Sequence, residues 1–228
     1  MQSLRDRGID RRRQRILVAA RSLIGEKGLA NLTMRAIADR AELSVPSIYN
    51  LIGGRDDVIA AVLAAGGSQL SAAMRDAPEE PLPHALAAVD ALADIVIQNQ
   101  AVVRQVLTAW APTSGPSSTL FTELRGLIRD AFVEAVRRGQ VRRTCDPDVL
   151  ASRVEALAGG AVLAWAGSTR GDQRLRRELH HGVALVFAAT ATADSRASFD
   201  RALRRCERDL HLAPASAART RSVRTVPA

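Results

Sequence analysis

The sequence predicts an all-α protein of about nine or ten helices, on the basis of its composition and its apolar periodicity. Aromatic residues make up 3% of the 228 residues, whereas 47% are hydrophobic. The core must therefore consist mainly of Ala, Leu, Val and Ile, which disfavours a β-sandwich, because sandwich sheets depend on aromatic and β-branched residues. Apolar residues recur every three or four positions through most of the chain, as in amphipathic helices, and no alternating strand pattern is present.

The first predicted helix covers residues 11–28, after a lead-in over 1–10 that we expect to be disordered. Gly28 is a suitable C-terminal stop for this helix. Its apolar side chains share one face at 3.6 residues per turn. That face consists of Ile16, Leu17, Ala20, Leu23 and Ile24.

Two short helices follow, over 33–40 and from Val45 to about Asn50. Thr33 and Ser44 are good N-caps for them. The turn between the helices is short, so the segment 32–51 has the spacing of a helix–turn–helix. That motif needs two short helices locked at a steep angle by apolar residues.

The second short helix has one inward face and one outward face. At about 100° per residue, Ile48 and Ile52 point inward, whereas Pro46 and Asn50 point outward with Tyr49 beside them. The outward face is short and mostly uncharged, which is typical of a face that enters the major groove of DNA.

The rest of the chain predicts a larger helical domain. Gly53-Gly54 breaks the chain, and a fourth helix begins near Asp56 and Asp57, whose charges suit a helix N-terminus. We expect an N-terminal three-helix helix–turn–helix domain over 9–69, a larger C-terminal helical domain over 70–211 and a disordered basic tail over 212–228. The later apolar repeats predict helices over 84–109, 120–138, 147–166, 172–193 and 196–210.

The net charge of +8 is unevenly placed. Residues 1–55 carry +6, residues 56–210 carry −1 and residues 211–228 carry +3. A basic first quarter joined to a near-neutral body indicates a head that binds a polyanion such as nucleic acid. A merely solvated basic surface is the alternative reading.

Several classes of protein are disfavoured. Cys145 and Cys206 are too few for a disulfide framework or a zinc site, and the adjacent His180 and His181 point about 100° apart on a helix. No secretory segment is visible. The uncharged stretch 156–169 has 14 residues, whereas a bilayer span needs roughly 20. No catalytic constellation or phosphate loop is present. We expect a cytoplasmic protein, without a cofactor, a metal or a membrane partner, that is not an enzyme.

A set of residues in the segment 11–65 matches one known family in order and spacing. The matching residues are Arg15-Ile-Leu-x-Ala-Ala-Arg-x-Leu-Ile24, Gly28, Leu32-Thr-Met-Arg-x-Ile-Ala38, Ala41, Leu43-Ser44, Ser47-Ile-Tyr49 and Gly54-Arg-Asp-Asp-Val-Ile59. With these residues the segment resembles the DNA-binding domain of the TetR family of bacterial transcriptional regulators. The resemblance implies a DNA-binding head and a C-terminal domain that binds an effector and forms the dimer. Three positions depart from the family pattern: Glu42 replaces a turn glycine, Leu51-Ile52 an aromatic pair, and Arg55 a lysine.

Carried over by position, the resemblance implies a set of DNA contacts. Thr33, Tyr49 and Arg55 would contact phosphate, and Arg35 would reach the backbone or a base. Asn50 is the best candidate for reading adenine. Arg11, Arg12 and Arg13 would follow phosphates as an arm. A core Tyr49 and a solvated Arg11–Arg13 are the alternatives. Base edges would be faced by Ser44, Val45, Pro46, Ser47 and Asn50.

Two further sets of residues are candidates in the C-terminal domain, each with a packing role as its alternative. An effector pocket, mostly apolar with a few polar groups, would involve His84, Asn99, Gln100, Trp110, Phe121 and Trp165. A dimer interface would involve Leu150, Val154, Leu157, Ala161, Trp165, Leu175, Leu179, Val183, Val186 and Phe187.

The favoured function is an effector-responsive transcriptional regulator, most simply a repressor. A homodimer would bind a pseudo-palindromic double-stranded operator on the bacterial nucleoid, and a small-molecule effector would release it. The alternative is a non-specific DNA-binding or adaptor protein that uses the basic head.

Overall fold

The computed structural model describes residues 4–109, 119–168 and 171–211. Within these ranges the chain forms ten α-helices, a short 3-10 turn over Leu29–Asn31 and one isolated antiparallel bridge, Val141 with Ala191. The all-α prediction is therefore confirmed. The helices are α1 Leu4–Lys27, α2 Met34–Ala41, α3 Val45–Leu51, α4 Arg55–Ala73, α5 Pro81–Gln98, α6 Gln100–Ala109, α7 Thr119–Arg137, α8 Pro147–Ala166, α9 Asp172–Thr190 and α10 Ala193–His211.

The head is formed by α1, α2, α3 and the first half of α4 around one apolar core. Ile16 and Ile24 of α1, Ile37 of α2 and Ile48 of α3 are completely buried in it. Because one buried isoleucine from each short helix packs against α1, the angle between α2 and α3 is fixed by apolar contacts.

The body is formed by α5 to α10 and the second half of α4 around a separate core. Phe132 of α7 stacks on Phe187 of α9 with ring centroids 4.4 Å apart, and Phe199 of α10 meets Phe187 edge-on at 5.3 Å. These three rings join three helices at the centre of the body.

Two helices belong to both cores. In α4, Val58 and Val62 lie in the head core, whereas Leu70 lies in the body core. In α6, Val102 is buried in the head core, whereas Val103 packs against the body core. The head and the body therefore share structure along one continuous junction.

The structure differs from the prediction at two places in the helix pattern. First, α1 begins at Leu4, so residues 4–10 are helical, not disordered. This stretch has no proline, and Asp6 lies in the first turn, where a negative charge suits the helix. Second, the single helix expected over 84–109 is interrupted at Asn99. The side-chain amide of Asn99 donates to the carbonyl of Ile95 over 2.7 Å, and such local bonds compete with helix continuation.

By length and composition, α8 is the one helix in the described ranges that could cross a membrane. It packs between α7 and α9, with Ala151, Val154 and Val162 buried against them. That packing is the arrangement of a core helix. The opposite side of α8 is exposed and mostly apolar.

Candidate nucleic-acid interface

The turn between α2 and α3 is held by a Schellman motif. The Leu43 N–H donates to the Ala38 carbonyl over 3.0 Å, and the Glu42 N–H donates to the Asp39 carbonyl over 3.3 Å. The motif needs a left-handed residue, and Glu42 supplies it with φ 51°. Arg15 of α1 lies 3.0 Å from the Glu42 carboxylate. Glu42, in place of the glycine of the family pattern, therefore keeps the geometry of the turn, although its backbone conformation is one that residues with a side chain rarely adopt.

The exposed face of α3 agrees with the face predicted from the sequence. Ile48 is fully buried, whereas Pro46, Tyr49 and Asn50 are exposed. Tyr49 has 54% of its surface exposed, so the alternative of a core tyrosine does not apply. The outward side chains of α3 are thus free to meet a ligand as large as a DNA groove.

The capping side chains at the helix starts are already engaged within the chain. The Thr33 hydroxyl oxygen accepts from the Ala36 N–H over 3.1 Å. The Ser44 hydroxyl oxygen accepts from the Ser47 N–H over 3.3 Å and lies 2.7 Å from the Ser47 hydroxyl. These caps fix the starts of α2 and α3.

Arg55, expected at a phosphate, supports the fold of the head. It is half-buried, and its guanidinium donates to the carbonyls of Leu32 over 2.9 Å and of Leu29 over 2.7 Å.

Asp57 accepts from the Gly54 N–H over 2.8 Å and so caps α4. The preceding Gly53 has φ 125°, and a Cβ there would lie 2.3 Å from the Asp57 carboxylate. The connection from α3 to α4 therefore depends on glycine.

The basic side chains of the head fall into a paired group and a free group. Arg40 makes two contacts with Glu26, of 2.8 and 2.7 Å. Hydrogen bonds from Arg40 and Ser22 lower the pKa of Glu26 to about 2. Arg35 is exposed and has no polar partner in the described part of the chain. Sequence reasoning did not identify the Arg40–Glu26 and Arg15–Glu42 pairs, because their partners lie 14 and 27 positions apart.

The predicted arm, Arg11 to Arg13, lies on the helical extension of α1. All three side chains are exposed, and Arg12 donates to the carbonyl of Gly8 over 3.2 Å. The arm is therefore a rigid helical surface and not a flexible strand of chain. Its contact with DNA stays a prediction.

Comparison with known proteins agrees with this geometry. The sequence profile of the family described as "Bacterial regulatory proteins, tetR family" matches residues 16–62. The head is therefore similar to the N-terminal domain of the TetR family. No curated protein sequence matches the chain.

Solved structures extend the likeness in fold to most of the chain. A protein from Rhodococcus sp. described as a TetR-family transcriptional regulator is 21% identical, covers 78% of this chain and 99% of its own, and has a TM-score of 0.63. TylP, a TetR regulator from Streptomyces fradiae, is 19% identical, with coverages of 88% and 98% and a TM-score of 0.61. SmeT, the repressor of the Stenotrophomonas maltophilia multidrug efflux pump SmeDEF, is 19% identical, with coverages of 80% and 92% and a TM-score of 0.55.

In the body, the structure places several of the residues expected to line one pocket far from one another. His84 lies in the first turn of α5 and its ring nitrogen is 3.0 Å from the Pro78 carbonyl. Asn99 follows the other end of α5, about 22 Å away along the helix axis. Trp165 is buried, and its indole N–H donates to Asp172 over 3.2 Å. Gln100 is exposed, Phe121 is half-buried, and Trp110 lies outside the described residues.

The structure also divides the ten residues expected at the dimer interface. Six are buried in the chain's own body core, so for them the intrachain alternative applies: Val154, Trp165, Leu175, Leu179, Val183 and Phe187. Leu150, Ala161 and Val186 are half-buried, and Leu157 is 45% exposed. The sequence pattern identified the apolar positions of α8 and α9, but it did not distinguish the inward faces of these helices from their outward faces.

The remaining polar candidates behind the TetR-type head have ordinary partners. The His180 ring nitrogen lies 2.8 Å from a carboxylate oxygen of Asp90, and Arg176 also approaches Asp90 at 3.7 Å. Cys206 is buried, and burial raises the pKa of its thiol. A raised thiol pKa disfavours the thiolate that redox chemistry needs.

Proposed function

We propose that the chain is a sequence-specific DNA-binding transcriptional regulator of the bacterial cytoplasm that acts as a homodimer. The observation that carries this proposal is the exposed face of α3, which presents Pro46, Tyr49 and Asn50 on a helix whose opposite side is locked by Ile48. A short helix with small and amide side chains fits the major groove, where an asparagine can pair with adenine through two hydrogen bonds.

The free cations of the head supply the part of binding that does not depend on sequence. Arg11, Arg13 and Arg35 are exposed and can neutralise phosphates, and phosphate contacts position a protein on the duplex without reading its bases. Thr33 and Ser44 are the N-caps of α2 and α3, and backbone N–H groups at helix N-termini favour anions.

The decisive experiment is selection of DNA sites with the full chain, followed by a salt titration on the selected site. We expect a two-fold-symmetric site that is preferred over random DNA by about 10³-fold or more. Asn50→Ala should relax the preference at one base pair of each half-site, whereas Tyr49→Phe should weaken binding at every base.

A matched control for these variants is Val133→Ala, because Val133 is an exposed side chain of α7 in the body. Its DNA binding should equal that of the parent chain. If selection returned no enriched site and binding fell steeply with salt, the chain would be a non-specific DNA-binding or adaptor protein. The unpaired arginines of the head favour that alternative only if substitutions on the exposed face of α3 leave DNA binding unchanged.

The dimer interface that we propose lies on the outward face of α8 and α9. The exposed residues along this face of α8 at helical spacing are apolar except for Arg153: Val149, Arg153, Ala156, Gly160 and Leu163. Leu157 beside them is 45% exposed, and Leu185 of α9 is 42% exposed. Gly160 has open space where a side chain would be, so a partner helix can approach closely there.

An effector would act through the junction between head and body. The helix α4 contributes Val62 to one core and Leu70 to the other, so a ligand that prefers one arrangement of the body also biases the position of the head. A ligand shifts such an equilibrium only by its unequal affinity for the two states. Repression, as opposed to activation, is tested by transcription from a promoter that carries the selected site.

A further inference from the structure

A small cavity lies where α1 of the head meets α4, α5, α6 and α7 of the body. Its volume is about 40 Å³, and Arg21, Gln69 and Asn99 are polar residues on its wall. The rest of the wall is largely apolar and includes Ile95, Val103 and Leu120.

Arg21 is a half-buried cation without a counter-charge. Its surroundings lower the pKa of the guanidinium by burial alone, with no contribution from a carboxylate or a hydrogen bond. The described residues offer it no polar partner. The segments outside the described ranges contain neither Asp nor Glu, so no side-chain carboxylate of this chain remains to neutralise Arg21.

Other arginines at the same junction are satisfied within the chain. Arg104 donates to the carbonyls of Ala166 and Ser168 over 3.1 and 3.2 Å, and Arg55 donates to two carbonyls of the head. A guanidinium that is removed from water without such partners is unfavourable. Arg21 is half-buried and has no such partner among the described residues, so its guanidinium N–H groups are available to an external anion.

The size and the walls of the cavity restrict the anion. The cavity has room for about three water-sized spheres, so it admits the three heavy atoms of a carboxylate, and most of the alkyl chain of an acid such as butyrate would extend out of it. A planar guanidinium binds a carboxylate through two parallel hydrogen bonds. The neighbouring wall, with Ile95, Val103 and Leu120, is suited to methylene groups.

We propose that this cavity binds the carboxylate of a small aliphatic acid, with Arg21 as the binding cation. The acid would connect α1 of the head to Asn99 and Gln69 of the body, and so would bias the arrangement of the two. The proposal names the chemical class of the effector, and it rests on the proposed function only for its consequence on DNA binding.

The test is thermal unfolding of the full chain in increasing butyrate, with no DNA present. We expect a saturable rise in the unfolding temperature with butyrate and no such rise with its neutral amide, butyramide. Arg21→Gln should weaken butyrate binding about tenfold or more, because a charge-assisted pair is lost. Arg201→Gln is the matched control, since Arg201 is an exposed cation of α10, and it should bind butyrate as the parent chain does.

Gly66→Ala provides a variant that is expected to fold at least as well as the parent. Gly66 lies in α4 on the cavity wall, and an added Cβ would lie 3.5 Å from Ile95 and Leu120, at ordinary contact distance. Alanine is favoured over glycine inside a helix, so the variant should unfold at a higher temperature while binding butyrate more weakly.

Two results would overturn the proposal. One is equal butyrate binding by the parent and by Arg21→Gln. The other is an equal, saturable response to chloride or inorganic phosphate, which would indicate a general anion site. Failure to find an operator would refute the proposed function but would leave this measurement unaffected, because no DNA enters it.

Discussion

The side-chain amide of Gln105 donates a hydrogen bond to the carbonyl of Ile24 over 2.9 Å. Its oxygen also accepts from the Leu29 N–H, so one residue of α6 holds both the last turn of α1 and the 3-10 turn that follows. We expect Gln105→Ala to destabilise the chain by about 1–2 kcal/mol, because two backbone groups lose their partner. Urea denaturation measures this change.

A local readout separates this bond from general loss of packing. Hydrogen exchange should accelerate at the Leu29 amide and its neighbours in Gln105→Ala, while the amides of α7 keep their protection. Gln98→Ala is the control, because Gln98 is exposed at the end of α5. Unchanged exchange at Leu29 would show that Gln105 does not hold the turn.

Glu42 occupies a left-handed position, so glycine and alanine should have opposite effects there. Both Glu42→Gly and Glu42→Ala lose the exposed ion pair with Arg15, but only the glycine variant relieves the backbone strain. We expect the glycine variant to be more stable than the alanine variant by about 1 kcal/mol. Denaturation of both variants under one condition checks the order, and equal stabilities would contradict it.

Arg55 and Arg35 should separate stability from DNA binding. Arg55→Ala leaves the carbonyls of Leu32 and Leu29 without their donor and should cost about 1–3 kcal/mol of folding stability. Arg35→Ala should change stability by less than about 0.5 kcal/mol and lower the salt slope of DNA binding by about one. Parallel melting curves and salt titrations test both statements, and a salt slope unaffected by Arg35→Ala would remove this residue from the interface.

A charge on the outward face of α8 should separate the dimer. Leu163 is 54% exposed in the chain, so Leu163→Glu should not disturb the monomer fold, yet it would bury an unpaired carboxylate at the proposed interface, which is strongly unfavourable. Sedimentation should show monomers for this variant. Val133→Glu, which alters a similarly exposed valine of α7, should remain dimeric. A dimeric Leu163→Glu would place the interface elsewhere.

The ion pair of Glu26 with Arg40 should make stability depend on pH in the acid range. The folded chain holds the Glu26 pKa at about 2, against an ordinary value of 4.5. Because the folded pKa is the lower one, the stabilisation is complete above about 4.5 and is lost as pH falls toward 2. Glu26→Gln should therefore unfold more easily than the parent at neutral pH, and the difference should shrink through that window.

The pH effect has a simple check. Melting temperatures of the parent and of Glu26→Gln are compared from neutral pH downward, alongside Glu79→Gln, which alters an exposed carboxylate at the start of the body. A constant difference between the parent and Glu26→Gln across the whole range would show that the pair is not ionic.

The sequence identified the head well because its signals are local. The caps Thr33 and Ser44, the break at Gly53-Gly54 and the inward Ile48 each act within a few residues of their position, and the structure contains all of them. Helical spacing also predicted which side of α3 is exposed. The bounds of α8 followed from Pro147 and from the end of its apolar repeat.

The errors arise where a distant part of the chain decides the outcome. In α8 and in the second half of α9, apolar side chains lie on both faces, so spacing alone could not show that Trp165 and Phe187 point inward while Leu163 points outward. The use of Arg55 as a backbone donor depends on two carbonyls more than 20 positions earlier. No local pattern distinguishes Arg21, which lacks a partner, from Arg40, which has one.

The passage of α4 through both cores has a consequence for anyone who would exchange heads between related proteins. Val58, Ile59 and Val62 pack in the head core and Leu70 packs in the body core. The helix runs without a break between them. A chimaera joined inside this helix would have to reproduce both sets of contacts in the same rotational phase, since adding one residue turns everything beyond it by about 100°. The head therefore cannot be exchanged as an independent unit. A new DNA preference is easier to obtain by substitutions on α3 than by transfer of the whole head.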